Sequence, residues 1–110
     1  MWNKPTEEEL NKLPKLYATE NMPEDDKEVL MHFFIGGSDW YVAEYSPEKR
    51  IFFGFVIMNG DLEMAEWGYS SLDEMSAIKF IGLEIDHDLY WKPKKFREVR
   101  ADLEKRYGRN

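Results

Sequence analysis

Residues 51–58 read IFFGFVIM, eight positions without a charge, set between Lys49-Arg50 and Asn59-Gly60-Asp61. A strand of this kind offers no polar face to water, so it belongs inside a sheet with cover on both sides. Gly54 within the aromatic run points to a bulge or to close approach of another backbone, and Gly68 reads the same way. Three further strand candidates surround it: EVLMHFFI at 28–35, ended by Gly36, Gly37, Ser38 and Asp39; WYVAEY at 40–45, ended by SPEK; and LEMAEWGY at 62–69. Asn59-Gly60 favours the type I′ turn that joins antiparallel strands, and no connection is long enough for a parallel crossover. The expected sheet is a four-stranded antiparallel meander with 51–58 central and Glu63 and Glu66 on opposite faces of the last strand.

Helices must supply the cover. In KPTEEELNKLP, Thr6 and Glu9 have the spacing of a capping box, Glu7, Glu8 and Glu9 suit the positive end of a helix dipole, Leu10 and Leu13 share a face, and Pro14 ends the segment. In SSLDEMSAIKF, Ser71 and Glu74 repeat the capping pattern and Leu72, Met75 and Ile78 fall on one side. The last helix is marked by Pro93 in its first turn, an apolar stripe of Phe96, Val99, Leu103 and Tyr107, and Gly108 at its end. KLYATENMPEDDK reads as a loop with Leu16 and Tyr17 tucked inward. The 110 residues contain no internal repeat and no linker. The reading is one α+β domain over 1–110: a four-stranded antiparallel meander packed against short helices and a C-terminal amphipathic helix.

Charge is unevenly spread. The chain carries a net −7, but 19 acidic and 7 basic residues lie before Trp91, against 3 acidic and 8 basic from Trp91 onward. An acidic body repels a phosphate backbone, which argues against nucleic acid over the main surface. The basic segment, with Lys92, Lys94, Lys95, Arg97, Arg100, Lys105 and Arg106, reads first as a solvated helix face. There is no cysteine, which excludes disulfides, a thiolate zinc site and a cysteine nucleophile. MWNKPTEEEL turns acidic where a signal peptide would be apolar, and no apolar run approaches the ~18 residues of a membrane span. The expectation is a cytoplasmic protein without membrane contact.

The one stretch that suggests chemistry is EIDHDLYWKP, residues 84–93. As an extended segment it places Glu84, Asp86, Asp88 and Tyr90 on one face and Leu83, Ile85, His87 and Leu89 on the other, so His87 cannot join both aspartates on one ion. Two carboxylates need further oxygen ligands to hold a hard cation, and His32, the other histidine, has no metal-ligand spacing to His87. The stretch is read as a charged strand edge or loop. FFGFV and AEWGYSS have the aromatic and glycine content of a base-stacking surface, but their neighbours are Glu44, Glu63 and Glu66 rather than basic residues, which favours core packing. No catalytic, cofactor-binding or metal-ligating residue is assigned, and no cofactor is implied.

LPKLYATE, WYVAE, FFGFV, EWGYSSLDEM and GLEIDHDLYWKP occur in an order that resembles the family called domain of unknown function 2958, over roughly residues 10–98. The matching positions are Leu13, Pro14, Leu16, Tyr17, Trp40, Tyr41, Glu44, Phe52, Phe53, Gly54, Glu66, Gly68, Tyr69, Leu72, Glu74 and Asp88. The family's pattern has Glu-Arg-Asp where this chain has Asp86, His87 and Asp88, which speaks against a family-wide task for His87. The resemblance implies a bacterial or phage protein carried on plasmids and other mobile elements beside DNA-processing and antirestriction genes, and carries over no catalytic residue. Combined with the acidic body, it leads to an expected non-enzymatic protein that binds another protein, such as a DNA-processing or defence enzyme, as a charge mimic. Two alternatives stand beside it: a metal-assisted hydrolase built on Asp86, Asp88 and Glu44 or Glu66, and a nucleic-acid accessory protein acting through the basic C-terminal helix. The oligomeric state is left open.

Overall fold

The computed structural model describes residues 3–80 and 82–108. Its centre is a five-stranded antiparallel sheet in the order β5-β4-β3-β2-β8, from β2 (Met31–Ile35), β3 (Ser38–Ser46), β4 (Ile51–Ile57), β5 (Glu66–Ser71) and β8 (Asp86–His87). The four expected strands form the meander, and the fifth comes from the EIDHD stretch. β8 is only two residues long and pairs Phe33 with His87 and Phe34 with Asp86, a junction that local pattern does not show. It shifts the centre of the sheet from the uncharged β4 to β3. All nine residues of β3 are buried, Asp39 and Glu44 among them, whereas β4 alternates between buried and half-buried.

The expected first strand is split at Leu30. Its start, β1 (Glu28–Val29), pairs with β9 (Lys94–Lys95), and Leu30 rejoins the main sheet by donating to the Val42 carbonyl at 2.9 Å. The last strand begins at Glu66, so Glu63 lies outside it. Asn59 and Gly60 both have positive φ, as type I′ demands. They close a turn within residues 58–65 rather than a two-residue hairpin, and this turn is tied to the β2–β3 hairpin through Ser38 Oγ and the Gly37 carbonyl. A short two-stranded ladder, β6 (Lys79–Phe80) with β7 (Leu83–Glu84), stands apart.

Two apolar clusters sandwich the sheet. On one face Phe33, Trp40, Val42, Tyr45 and Phe52 pack with Leu10 and Leu13, with Leu72 and Met75 of α2 (Leu72–Ala77), and with Ile85. Leu10 belongs to α1 (Glu7–Asn11), whose Thr6–Glu9 capping box is complete; the Thr6 backbone N–H holds the Glu9 carboxyl below its ordinary range. Ser71 Oγ likewise accepts from the Glu74 amide. On the other face Tyr41, Ile57 and Val29 meet Phe96, Val99 and Leu103 of α3 (Phe96–Arg106). Tyr107 packs beside them, half-buried, and Gly108 leaves the helix at φ +73.

Some expected positions differ. Pro93 precedes the cap residue Lys95 instead of sitting in the first turn. Ile78 is exposed because the chain turns extended there. Leu83 and Leu89 are also exposed, while Ile85 and His87 are buried. At Gly54 the close approach is real: a Cβ would overlap the Tyr41 carbonyl oxygen and stand 2.9 Å from Val42 Cα. At Gly68 a Cβ would meet nothing within 4 Å.

The basic helix face is not merely solvated. Arg97 and Arg100 pair with Asp26 and Asp25 of the 3-10 turn Glu24–Asp26, and Lys94 lies 3.2 Å from Asp102. Half-exposed ion pairs contribute about 0–1 kcal/mol each, so the apolar stripe, not the charge, holds α3 down. Leu103→Ala is expected to cost about 2–5 kcal/mol and Lys105→Ala less than about 0.5 kcal/mol in chemical denaturation; a wild-type midpoint for Leu103→Ala would remove α3 from the core. Gly54→Ala should cost about 1–3 kcal/mol by overpacking, read from the same curves.

Candidate functional site

The Gly36-Gly37 turn sets His32 opposite Tyr41 and Phe34 opposite Asp39, which makes Asp39 a diagonal neighbour of His32 on the same sheet face. His32 Nε2 stands 2.7 Å from Asp39 Oδ1, and Nδ1 stands 2.9 Å from Asp88 Oδ2. A neutral imidazole has one N–H, so both contacts become hydrogen bonds donated by the ring only when both nitrogens carry hydrogen. The ring stacks on Tyr41 at 4.6 Å and 9°, with Trp91 5.2 Å away. Burial pushes the Tyr41 phenol well above its ordinary range, and the Asp39 charge adds to this. Arg106 Nη1 reaches to 4.0 Å of Asp39 Oδ2 from the end of α3.

The EIDHD stretch is therefore divided between two sheet faces. His87 packs against the Phe33 ring, and its Nδ1 is 3.2 Å from the Asn3 carbonyl. Asp88 turns to His32 with one oxygen, accepts from the Tyr90 amide with the other, and donates its own amide to the His32 carbonyl. Asp86 lies opposite Phe34. Glu66 sits at the far edge, on β5, four strands from β8. Glu44 accepts from the Tyr17 and Thr19 amides and from the Thr19 hydroxyl. The carboxylates named for a metal-assisted hydrolase are thus spread across the sheet, and among the described residues no group of three His, Asp or Glu has metal-binding geometry.

Glu44 reaches its partners because of an irregularity. The β3–β4 register slips between Val42 and Glu44, so Ala43 is an extra residue and Glu44 faces the α3 side, whereas plain alternation would put it on the face of Val42. There it anchors the loop ahead of β1. Lys27, buried, donates to the Thr19 carbonyl and hydroxyl, so its charge and that of Glu44 meet through Thr19. Tyr17 turns outward at φ +71, contrary to the inward expectation, because its backbone amide rather than its ring is drawn to Glu44. Its hydroxyl bonds Tyr69 and raises the Tyr69 phenol above the ordinary range.

These residues wall a hollow of about 330 Å³ that Tyr17, Phe53, Trp67 and Tyr69 line with aromatic surface and Glu20 and Glu24 with charge. Phe53 stacks on Trp67 at 5.5 Å and 20°, and Tyr69 tilts over Phe53 at 5.2 Å. Trp67 Nε1 is buried with no acceptor among the described residues. Four positions of the recognised pattern, Tyr17, Glu44, Phe53 and Tyr69, converge here from three strands and a loop. The histidine bridge is missed at the sequence level because Asp88 is 56 residues away, although the hairpin register alone could have paired His32 with Asp39.

Removing His32 strands two carboxylates, one of them buried. His32→Ala is expected to cost about 3–5 kcal/mol. The same substitution should cost less in an Asp39→Asn background, since one stranded charge is gone; a double-mutant cycle by denaturation measures the difference, and zero coupling would show that the bridge contributes nothing.

No curated protein and no solved structure is similar to the chain at a significant level. The family model described as "Protein of unknown function (DUF2958)" matches residues 6–109, which takes in the sheet, both buried carboxylates of β3 and all of α3. The chain belongs to that family.

Proposed function

We propose that this chain is a small acidic binding protein, without catalytic activity of its own, that presents carboxylates to a basic groove of another protein. The observation that carries the reading is the fate of the C-terminal cations. Arg97, Arg100 and Arg106 face Asp26, Asp25 and Asp39 of the body, while Glu7, Glu8, Glu20, Glu66 and Glu74 stay at the surface. With Asp39, Glu44 and Lys27 buried, most of the net −7 is carried at the surface. A DNA-processing or defence enzyme is the partner class that fits both a basic groove and the mobile-element setting implied by the sequence resemblance. Complementary potential of this kind mainly speeds encounter and rejects wrong partners.

The test is a salt series on a partner captured from the host and then purified. Affinity should fall about tenfold or more between ~50 and ~200 mM salt, and a complex indifferent to salt would reject charge mimicry. A single-stranded oligonucleotide is the second probe. Retardation at low salt would favour instead the nucleic-acid reading through Lys92, Lys95 and Lys105.

A further inference from the structure

The outer side of β5 pairs with no strand among the described residues. Edge strands in soluble proteins are ordinarily blunted by a proline, a bulge or an inward charge. β5 reads EWGYSS, with one charge at its start, and its register to β4 runs unbroken from Glu66 to Ser71. The backbone groups of alternate residues, those pointing away from β4, are left without a strand partner among the described residues.

Both faces beside this edge are hollowed. On the α3 side Trp67 and Tyr69 project into the aromatic hollow, whose rim carries Glu20 and Glu24. On the opposite side a second hollow of about 550 Å³ lies over Gly68, edged by Met58, Met64, Asp61 and Glu66. Gly68 leaves it open, since a Cβ there would touch nothing. Met64 and Tyr69 are 76% and 57% exposed, a large apolar surface to leave in water. Among the described residues the one cation lining the first hollow, Lys27, is held to Thr19 beside Glu44.

We propose that the β5 edge takes up an extended, lysine- or arginine-rich segment of a partner protein as a sixth strand. This rests on the binding-protein reading above and gives it a place. Backbone pairing supplies affinity, and side chains alternate between the two hollows. In each, a long aliphatic stem lies on Tyr69, Trp67 or the methionines while its cationic head reaches the acidic rim. A second copy of the chain is a poorer occupant, because it would bring Glu66 and a further net −7 to the same edge.

The experiment uses the full chain and three ten-residue peptides: paired lysines alternating with paired valines, which puts lysine on both faces of a strand, the same with glutamate for lysine, and the lysine peptide with proline for valine, which cannot complete a ladder. Binding is followed by tryptophan fluorescence, and amide exchange by NMR. The lysine–valine peptide should bind and slow exchange at residues 66–71; the other two should not. Glu66→Lys and Tyr69→Lys should weaken it about tenfold or more, whereas Glu8→Lys, an equal charge change on α1 near the opposite edge, should stay within about twofold. Thermal midpoints check that each variant is folded. Binding with protection elsewhere overturns the edge assignment and leaves the acidic-binder reading standing. No binding of either lysine peptide at low salt overturns both. A dimer with residues 66–71 already protected overturns the partner assignment in favour of self-pairing.

Discussion

Two carboxylates buried in the central strand organise the periphery of this protein. Asp39 and Glu44 belong to β3, a strand with a neighbour on each side and an apolar cluster over each face. A buried charge without partners is far too costly to persist, so each must recruit some. Asp39 draws His32, and through His32 it draws Asp88 and the segment that forms β8 and the approach to α3. Arg106 approaches the same carboxylate from the other end of that helix. Glu44 draws the amides of Tyr17 and Thr19 and thereby fixes the loop that leads into β1. Segments with little apolar surface of their own are thus attached to the sheet by polar contacts made inside it.

This explains why the meander was legible and its centre was not. Hairpins are local: Gly36-Gly37 and SPEK mark where the chain reverses, and the strands between them follow. The choice of the central strand rested on absence of charge in residues 51–58, a rule that holds only when charges stay in water. In β3 the charges are met by residues 17, 19, 32 and 106, of which His32 alone lies within reach of a hairpin register. β8 escaped for a related reason. Two residues make no periodic signal, and its place beside β2 is set by Asp88 and by packing of His87 on Phe33.

The candidate surface was half visible. Phe53, Gly54, Gly68 and Tyr69 were marked as an aromatic and glycine-bearing sheet and read as core, which holds for Gly54 against Tyr41 but not for Tyr69 at the edge. Tyr17 gave no sign of joining them, since its outward turn depends on a left-handed backbone imposed by Glu44. The pairing of Arg97 and Arg100 with the acidic 3-10 turn was equally hidden, because loop and helix are more than 70 residues apart. Together these features leave Tyr17, Met64 and Tyr69 exposed at the β5 edge with negative charge around them, while Leu89 and Tyr90 are exposed away from it.

The extra residue at Ala43 makes the protein's two faces depend on counting. Upstream of it, odd positions of β3 look toward α3; downstream, even ones do, so a carboxylate and Tyr45 are delivered to opposite sides in the right order. Deleting Ala43 would restore a plain ladder with Glu44 and Tyr45 on the sides they already take. Drawing Ala43 into the ladder instead would exchange the two sides for every residue beyond it, driving Glu44 into the Phe52 cluster and Tyr45 out of it. The bulge is thereby what lets a strand with one residue too many keep both of its faces.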